Sequence, residues 1–337
     1  MTSPIAAALH HLAGRIAELT ENFGRRVEVD ALGIMSREGL LDLKEPGLWS
    51  PNRACRLLRA KDAWIAINLA REEDRDLVPA WLCADVPGDT WDAIVEIAAT
   101  RPSEVLIQQA ILLGLPAALV GERVSTGFGP TPPQRRDARG AAPIAVVDLS
   151  ALWAGPMCGA ILAAMGARVV KLESPRRPDP TRVSSAEFFK RLNAQKRCLE
   201  VDFATAEGQA ELRAHIAAAD VLITSCRPRA LPSLGLDAER ILRANPRLTW
   251  VAITGYGWRS PDDVRVAFGD DAAAAGGLVD WTPAGQPQFL GDALSDPVTG
   301  LGAAVGALEA LGAGGGARVE VAMADCAAAA AAMRNAG

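Results

Sequence analysis

The residues of this chain best suited to chemistry are carboxylates standing near helix starts. Asp296 is followed by Pro297 and by a run containing Gly300, Gly302 and Gly306. That pattern predicts a helix over 296–311 with room for close backbone approach. At its start an Asp is held as an anion by the helix N-terminus, which suits a nucleophile; a plain helix cap explains the same Asp-Pro step. Asp292 stands in the same segment, and Asp270 and Asp271 form a pair upstream. Asp270 with Asp296 would make a carboxylate pair for acid/base work. A second feature is the turn at 151–155, between an apolar run and a helix opened by Pro156, where backbone N–H groups stand free for an anion.

Other chemistries have little to build on. Only His10, His11 and His215 occur, and neither G-x-S-x-G nor G-x-G-x-x-G nor a Walker A loop is present, so a metal site, a Ser-His-Asp triad and a dinucleotide fingerprint are not expected. The six cysteines are scattered without a C-x-x-C pair, as in reduced thiols of a cytoplasmic protein. A net charge of −5 argues against a nucleic-acid surface, and no apolar run reaches membrane-spanning length.

The elements that must position these residues are α/β. Ile144–Leu149 is an apolar, partly β-branched run, the helix after Pro156 is rich in small residues, and Arg168–Glu173 is a second strand: one βαβ unit. Strand and helix keep alternating, with strands at 198–203, 221–224, 248–254 and 317–323 and helices at 206–219, 237–244, 272–279 and 327–332. The fold predicted is a doubly wound, mostly parallel sheet forming a large domain, plus a smaller α+β domain. The smaller domain covers 1–125. It reads as helix over 1–43, a hairpin of 55–58 and 64–69 turning at Lys61-Asp62-Ala63, helices at 74–82, 89–99 and 103–113 (opened by a Ser103 cap), and a last apolar segment at 115–120. The Pro-, Gly- and Arg-rich stretch 126–142 is a linker, and 143–337 is the large, Rossmann-like domain.

A series of blocks along 144–330 resembles the family III CoA-transferases, the group of formyl-CoA transferase, carnitine CoA-transferase and α-methylacyl-CoA racemase. The blocks are Val146-Val147-Asp148-Leu149-Ser150 to Ala154-Gly155-Pro156, Gly166 to Glu173, Asp179-Pro180-Thr181-Arg182, Asn193 to Arg197 with Val201-Asp202, Ala219 to Leu222 with Arg227-Pro228 and Leu234-Gly235, Asn245 to Gly257, Gly276 to Leu278, and Gly291-Asp292 with Ser295 to Gly300. The resemblance implies a CoA-transferase that moves CoA from an acyl-CoA donor to a carboxylic acid acceptor. Asp296, by its place in the motif, would be the nucleophile, passing through an acyl anhydride and an aspartyl-CoA thioester. It implies coenzyme A across Ala151, Trp153, Ala154 and Gly155, with Ser225 beside it and Arg182, Lys196, Arg197, Arg227 and Arg265 near its phosphates, and no metal. It also implies an interlocked homodimer.

This chain departs from the family pattern in places. Trp153 stands where a polar residue such as Gln is usual, Ser225-Cys226 where Asn-Phe is usual, and Ser233 where an Arg is usual. Gly269-Asp270-Asp271 replaces the racemases' Gly-His-Asp, which disfavours racemisation, although an isomerase using Asp270 and Asp296 remains an alternative. A degenerate subunit in a heteromer is another. Ala60 to Ala66 and Gly114 to Ala118 resemble segments of the family's small domain, which would here precede the large one.

Overall fold

The computed structural model describes residues 4–33, 37, 39–86, 90–125, 127 and 143–336. The linker expected over 126–142 lies outside the described residues, apart from Gly127.

Helix α1 (Ala6–Glu21) buries Leu9, Leu12 and Ile16 along one face. The helix expected over 1–43 ends there, because Gly24 takes a left-handed φ of 85° and alternation of charge and valine follows. Strands β1 (Cys55–Arg59) and β2 (Trp64–Asn68) pair as the expected hairpin. Instead of one helix over 74–82 there are two short ones, α2 (Glu72–Asp76) and α3 (Val78–Leu82). Pro79 has no N–H with which to carry the first helix onward. Then come α4 (Thr90–Ala99), α5 (Ser103–Leu113) and β3 (Ala117–Leu119), which completes an antiparallel sheet in the order β1-β2-β3. Pro102, not Ser103, holds the cap position of α5, without a side-chain capping bond.

The rest of the chain builds the large sheet. Its elements are β4 (Ala145–Asp148), α6 (Ala154–Ala164), β5 (Arg168–Glu173), α7 (Thr181–Ser184), α8 (Ala186–Asn193), β6 (Arg197–Glu200), α9 (Ala206–Ala217), β7 (Val221–Thr224), α10 (Ala238–Ala244), β8 (Thr249–Thr254), α11 (Gly269–Ala275), β9 (Val279–Trp281), β10 (Pro287–Phe289), α12 (Ser295–Gly312), β11 (Ala317–Ala322) and α13 (Met323–Ala336). Six strands lie in the order β11-β8-β7-β4-β5-β6, and every pairing is parallel. The winding reverses between β4 and β7, which opens a crevice beyond their carboxyl ends. One face is covered by α1, α6, α12 and α13 and the other by α9 and α10. Burial on both faces explains why β8 is buried along its whole length, with an unbroken apolar run at 250–253 rather than alternation.

Two differences bear on the site. The helix expected at 272–279 begins at Gly269 instead, because the Asp271 carboxylate accepts the Phe268 N–H at 2.9 Å and caps it. Asp270 and Asp271 therefore ride on the first turn of α11. The first 125 residues also do not share one core. α1 packs on α12 in the core of the large sheet, whereas β1–β3 and α3–α5 have their own. The hairpin sheet reaches α11 through Cys55, Leu57, Ala66 and Ala118, which pack with Ala274, Ala275 and Tyr256.

Candidate active site

The crevice is held by a buried ionic network. Asp148 ends β4 and binds Lys196 at 2.8 Å, both side chains fully buried. Lys196 also donates to the Pro156 carbonyl (2.7 Å) and to Asn193 Oδ1 (2.9 Å). Burial pushes the Asp148 carboxyl up, but Lys196 and Lys171 outweigh it and hold the group below the usual carboxylate range. The N–H groups of the 151–155 turn, expected to stand free, are partly occupied. Ala151 N–H donates to Ser225 Oγ at 3.1 Å and Leu152 N–H to Asp179 at 3.2 Å, with Leu152 at a left-handed φ of 69°. Sequence proximity could not show that Asp179, on another loop, closes this turn.

One N–H at the start of α6, that of Ala154, meets an anion supplied by the protein itself: the Asp296 carboxylate. Two glycines permit this approach. A methyl group on Gly269 would collide with Asp296 Oδ2, and one on Gly300 would lie 2.8 Å from the Ala154 carbonyl oxygen. Around Asp296 the fold gathers two more carboxylates. Asp270 is buried; it accepts the Ala293 N–H at 2.7 Å and Asn52 Nδ2 at 2.8 Å. Ala293 is left-handed at φ 47°, a strained conformation that aims this N–H. Asp292 is gripped by Arg37 through two bonds of 2.7 and 2.8 Å and by Asn52 at 3.1 Å. Asp296 is partly accessible; it accepts the Ala154 N–H, and no side chain hydrogen-bonds to it among the described residues.

Electrostatics follow from this crowding. Burial raises the Asp296 carboxyl to about 7; Arg37 and the Ala154 N–H pull it down, while Asp270 and Asp292 push it up. Burial and Asp292 raise Asp270 to about 6, against Asn52, the Ala293 N–H and Arg37. Arg37 and Asn52 come from stretches in which nothing marked them. They meet the carboxylates across 255 and 218 residues of chain.

Asp271 plays a different part. It is fully buried, accepts Asn68 Nδ2 and the Phe268 N–H on Oδ1, and leaves Oδ2 without a partner. Burial lifts its carboxyl to about 8 from an ordinary 3.8. A folded-state value above the unfolded one gives stability that is whole below about 4 and lost as pH rises toward 8. Asp271→Asn should therefore stabilise the protein by an amount that grows from about pH 4 to about pH 8 and then levels. Urea titrations across pH check this, and a gain independent of pH would contradict it.

The remaining expected residues are distributed as follows. Gly155 packs against Ser150. Trp153 is buried at the start of α6, edge-on to Phe188 at 5.1 Å, and its indole N–H finds no partner among the described residues. Arg182 pairs with Glu173 and lies over Phe189 at 4.0 Å. Arg197 is exposed at the start of β6, away from the strand ends that carry the turn. Arg265 is nearly buried, bound to Glu122 at 2.6 Å and laid on Tyr256 at 3.4 Å. Arg227, beyond β7, differs from these. Its Nη1 is buried without a partner among the described residues, and burial together with Arg229, Arg71 and Arg177 makes its charge harder to hold. Arg71 comes from the N-terminal part and reaches the Gly114 carbonyl at 3.3 Å, and a methyl group on Gly114 would lie 3.3 Å from Arg227 Nη1. Two surface cavities of about 530 and 410 Å³ lie elsewhere, and neither includes Asp270, Asp292 or Asp296. Among the described residues no helix is long and apolar enough to cross a membrane.

Residues 142–336 match the sequence model of CoA-transferase family III. A succinyl-CoA–D-citramalate CoA-transferase of Chloroflexus aurantiacus is 32% identical over 177 residues, covering 50% of this chain and 44% of that protein. A formyl-CoA:oxalate CoA-transferase of Escherichia coli is 36% identical over 177 residues, covering 50% and 42%. A crystal structure of a CaiB/BaiF family protein from Brucella suis superposes with a TM-score of 0.51 at 34% identity, covering 55% of this chain and 53% of that one. The chain thus spans less than half the length of these two curated relatives.

Proposed function

The chain belongs to CoA-transferase family III, and on that premise we propose that it moves CoA from an acyl-CoA to a carboxylic acid with Asp296 as nucleophile. The observation that carries this reading is the contrast among the three carboxylates. Asp292 is clamped by Arg37 and Asn52, and Asp270 is buried and bonded at both oxygens. Asp296 alone of the three is both partly accessible and free of side-chain partners among the described residues. The same contrast disfavours an isomerase, since a carboxyl bonded at both oxygens is poorly placed to face an α-carbon.

In the proposed sequence an Asp296 oxygen attacks the acyl carbonyl and CoA leaves as the thiolate, giving a mixed anhydride. The thiolate then attacks Asp296 Cγ and the donor leaves as its carboxylate, so CoA is now a thioester of Asp296. The acceptor's carboxylate attacks the same carbon, and the expelled thiolate takes up the acceptor's acyl carbon, restoring Asp296. Arg227, crowded by other guanidinium groups and with an unpartnered N–H, suits the CoA phosphates. A homodimer goes with this reading. The reading predicts that an acyl-CoA mixed with short mono- and dicarboxylic acids passes its CoA to at least one of them, read by mass. Arg227→Ala should weaken CoA binding about 10-fold by calorimetry. Unchanged affinity would remove the arginine cluster from the CoA site, and no exchange with any acid would remove the function.

A further inference from the structure

We infer that Arg37 docks the carboxylate of the acceptor acid beside Asp296, an inference that deepens the reading above and rests on it. A guanidinium offers two edges to carboxylates. The Nε–Nη2 edge of Arg37 is taken by Asp292 at 2.7 and 2.8 Å, while Nη1 on the other edge bonds nothing among the described residues. Its guanidinium carbon lies over the Trp153 ring at 4.7 Å and over the Phe188 ring at 5.7 Å, so the group is held at one edge and packed against two aromatic rings, which preorganises the second edge. The Trp153 indole N–H is a second buried donor with nothing to donate to among the described residues. Asp296 and Asp270 both act on the charge of Arg37, yet neither shares a hydrogen bond with it among the described residues. The side chain of Arg37 is 14% exposed, so it is reachable as well as held.

Charge sets the order of events. With Asp270, Asp292 and Asp296 ionised, one guanidinium faces three carboxylates, and a further anion is repelled. Once Asp296 is a CoA thioester its charge is gone. The acceptor's carboxylate then supplies that missing charge next to Arg37, within reach of the carbon it must attack. One of its oxygens bonds to Asp296 Cγ, the C–S bond breaks, and CoA leaves as the thiolate. The donor's carboxylate leaves from the same carbon, so Arg37 serves each step in which a free carboxylate meets the Asp296 thioester.

The test needs no turnover. Asp296→Asn imitates the neutral, loaded side chain. In protein labelled with ¹⁵N-tryptophan, the Trp153 indole resonance is identified by its absence in Trp153→Phe and followed while acetate, oxalate or succinate is added at pH 8. At least one acid should shift it saturably in Asp296→Asn, with Kd about 10-fold tighter than for the native protein. Adding Arg37→Gln to Asp296→Asn should weaken binding about 10-fold or more, and Arg37→Lys, which keeps the charge but not the fork, should weaken it less. Undiminished binding with Arg37→Gln, or no saturable shift with any of the three acids in Asp296→Asn, would overturn the inference. Failure of CoA exchange in the native protein sinks the transferase reading instead, and leaves this binding result to stand by itself.

Discussion

Asp296→Asn should abolish CoA transfer, lowering turnover by ~10⁴-fold or more, and should leave the fold intact. Asn keeps the shape that fits between Gly269 and the start of α6, and its oxygen can still accept the Ala154 N–H. It removes a charge that the surroundings hold at some cost, since burial and two neighbouring carboxylates raise the group to about 7. Thermal stability near neutral pH should therefore be equal or higher, not lower. The same environment fixes the pH profile. The nucleophile is the ionised form, so native activity should climb as pH rises through about 7. Asp270→Asn removes a like charge and should move that rise to lower pH. Turnover by Asp296→Asn within 10-fold of native, measured as CoA exchange, would contradict the assignment.

Lys196→Met should destabilise the protein by about 3–5 kcal/mol, the largest stability effect expected of a single change. The ammonium neutralises Asp148 in a site where both are fully buried, and it satisfies the Pro156 carbonyl at the first turn of α6. Met fills the volume but leaves Asp148 charged, with Ser150 and the nearby Lys171 as its remaining support. The double change Lys196→Met with Asp148→Asn should recover much of the loss, because it removes the buried charge along with its partner. Urea unfolding reads both. A loss below about 1 kcal/mol for Lys196→Met would mean that the ammonium is not the partner that Asp148 depends on.

The fold was legible where pattern is local. The strand 221–224 runs as its β-branched stretch predicts, because burial on both sheet faces favours a near-continuous apolar run, while 168–173 forms as expected although Lys171 and Glu173 are buried within it. The start of α11 was not legible. A capping carboxylate at Asp271 draws Gly269 and Asp270 into the helix, and a helix of small residues carries little periodic signal to mark its beginning. The carboxylates of the site stood out by their helix-start context. Their partners did not: Arg37 and Asn52 contact them only through the tertiary fold. The turn beyond β4 was foreseen but is shorter than 151–155, since α6 begins at Ala154 and not at Pro156, and the occupation of its N–H groups by Asp179 and Ser225 depends on loops that meet only when the sheet is assembled. Lys196, expected near a phosphate, is an interior ion because its stem runs under α6 to Asp148. The left-handed Leu152 and Ala293 are invisible in sequence, since neither residue type favours that conformation.

The central claim, that Asp296 carries the transferred CoA, is tested most directly by trapping. Native protein is incubated with an acyl-CoA that it exchanges, quenched with hydroxylamine, digested and mapped by mass. The account predicts a hydroxamate on Asp296, dependent on the acyl-CoA and absent from Asp296→Asn. A hydroxamate on Asp292 or Asp270 instead, or ongoing exchange with no modified carboxylate, would contradict it.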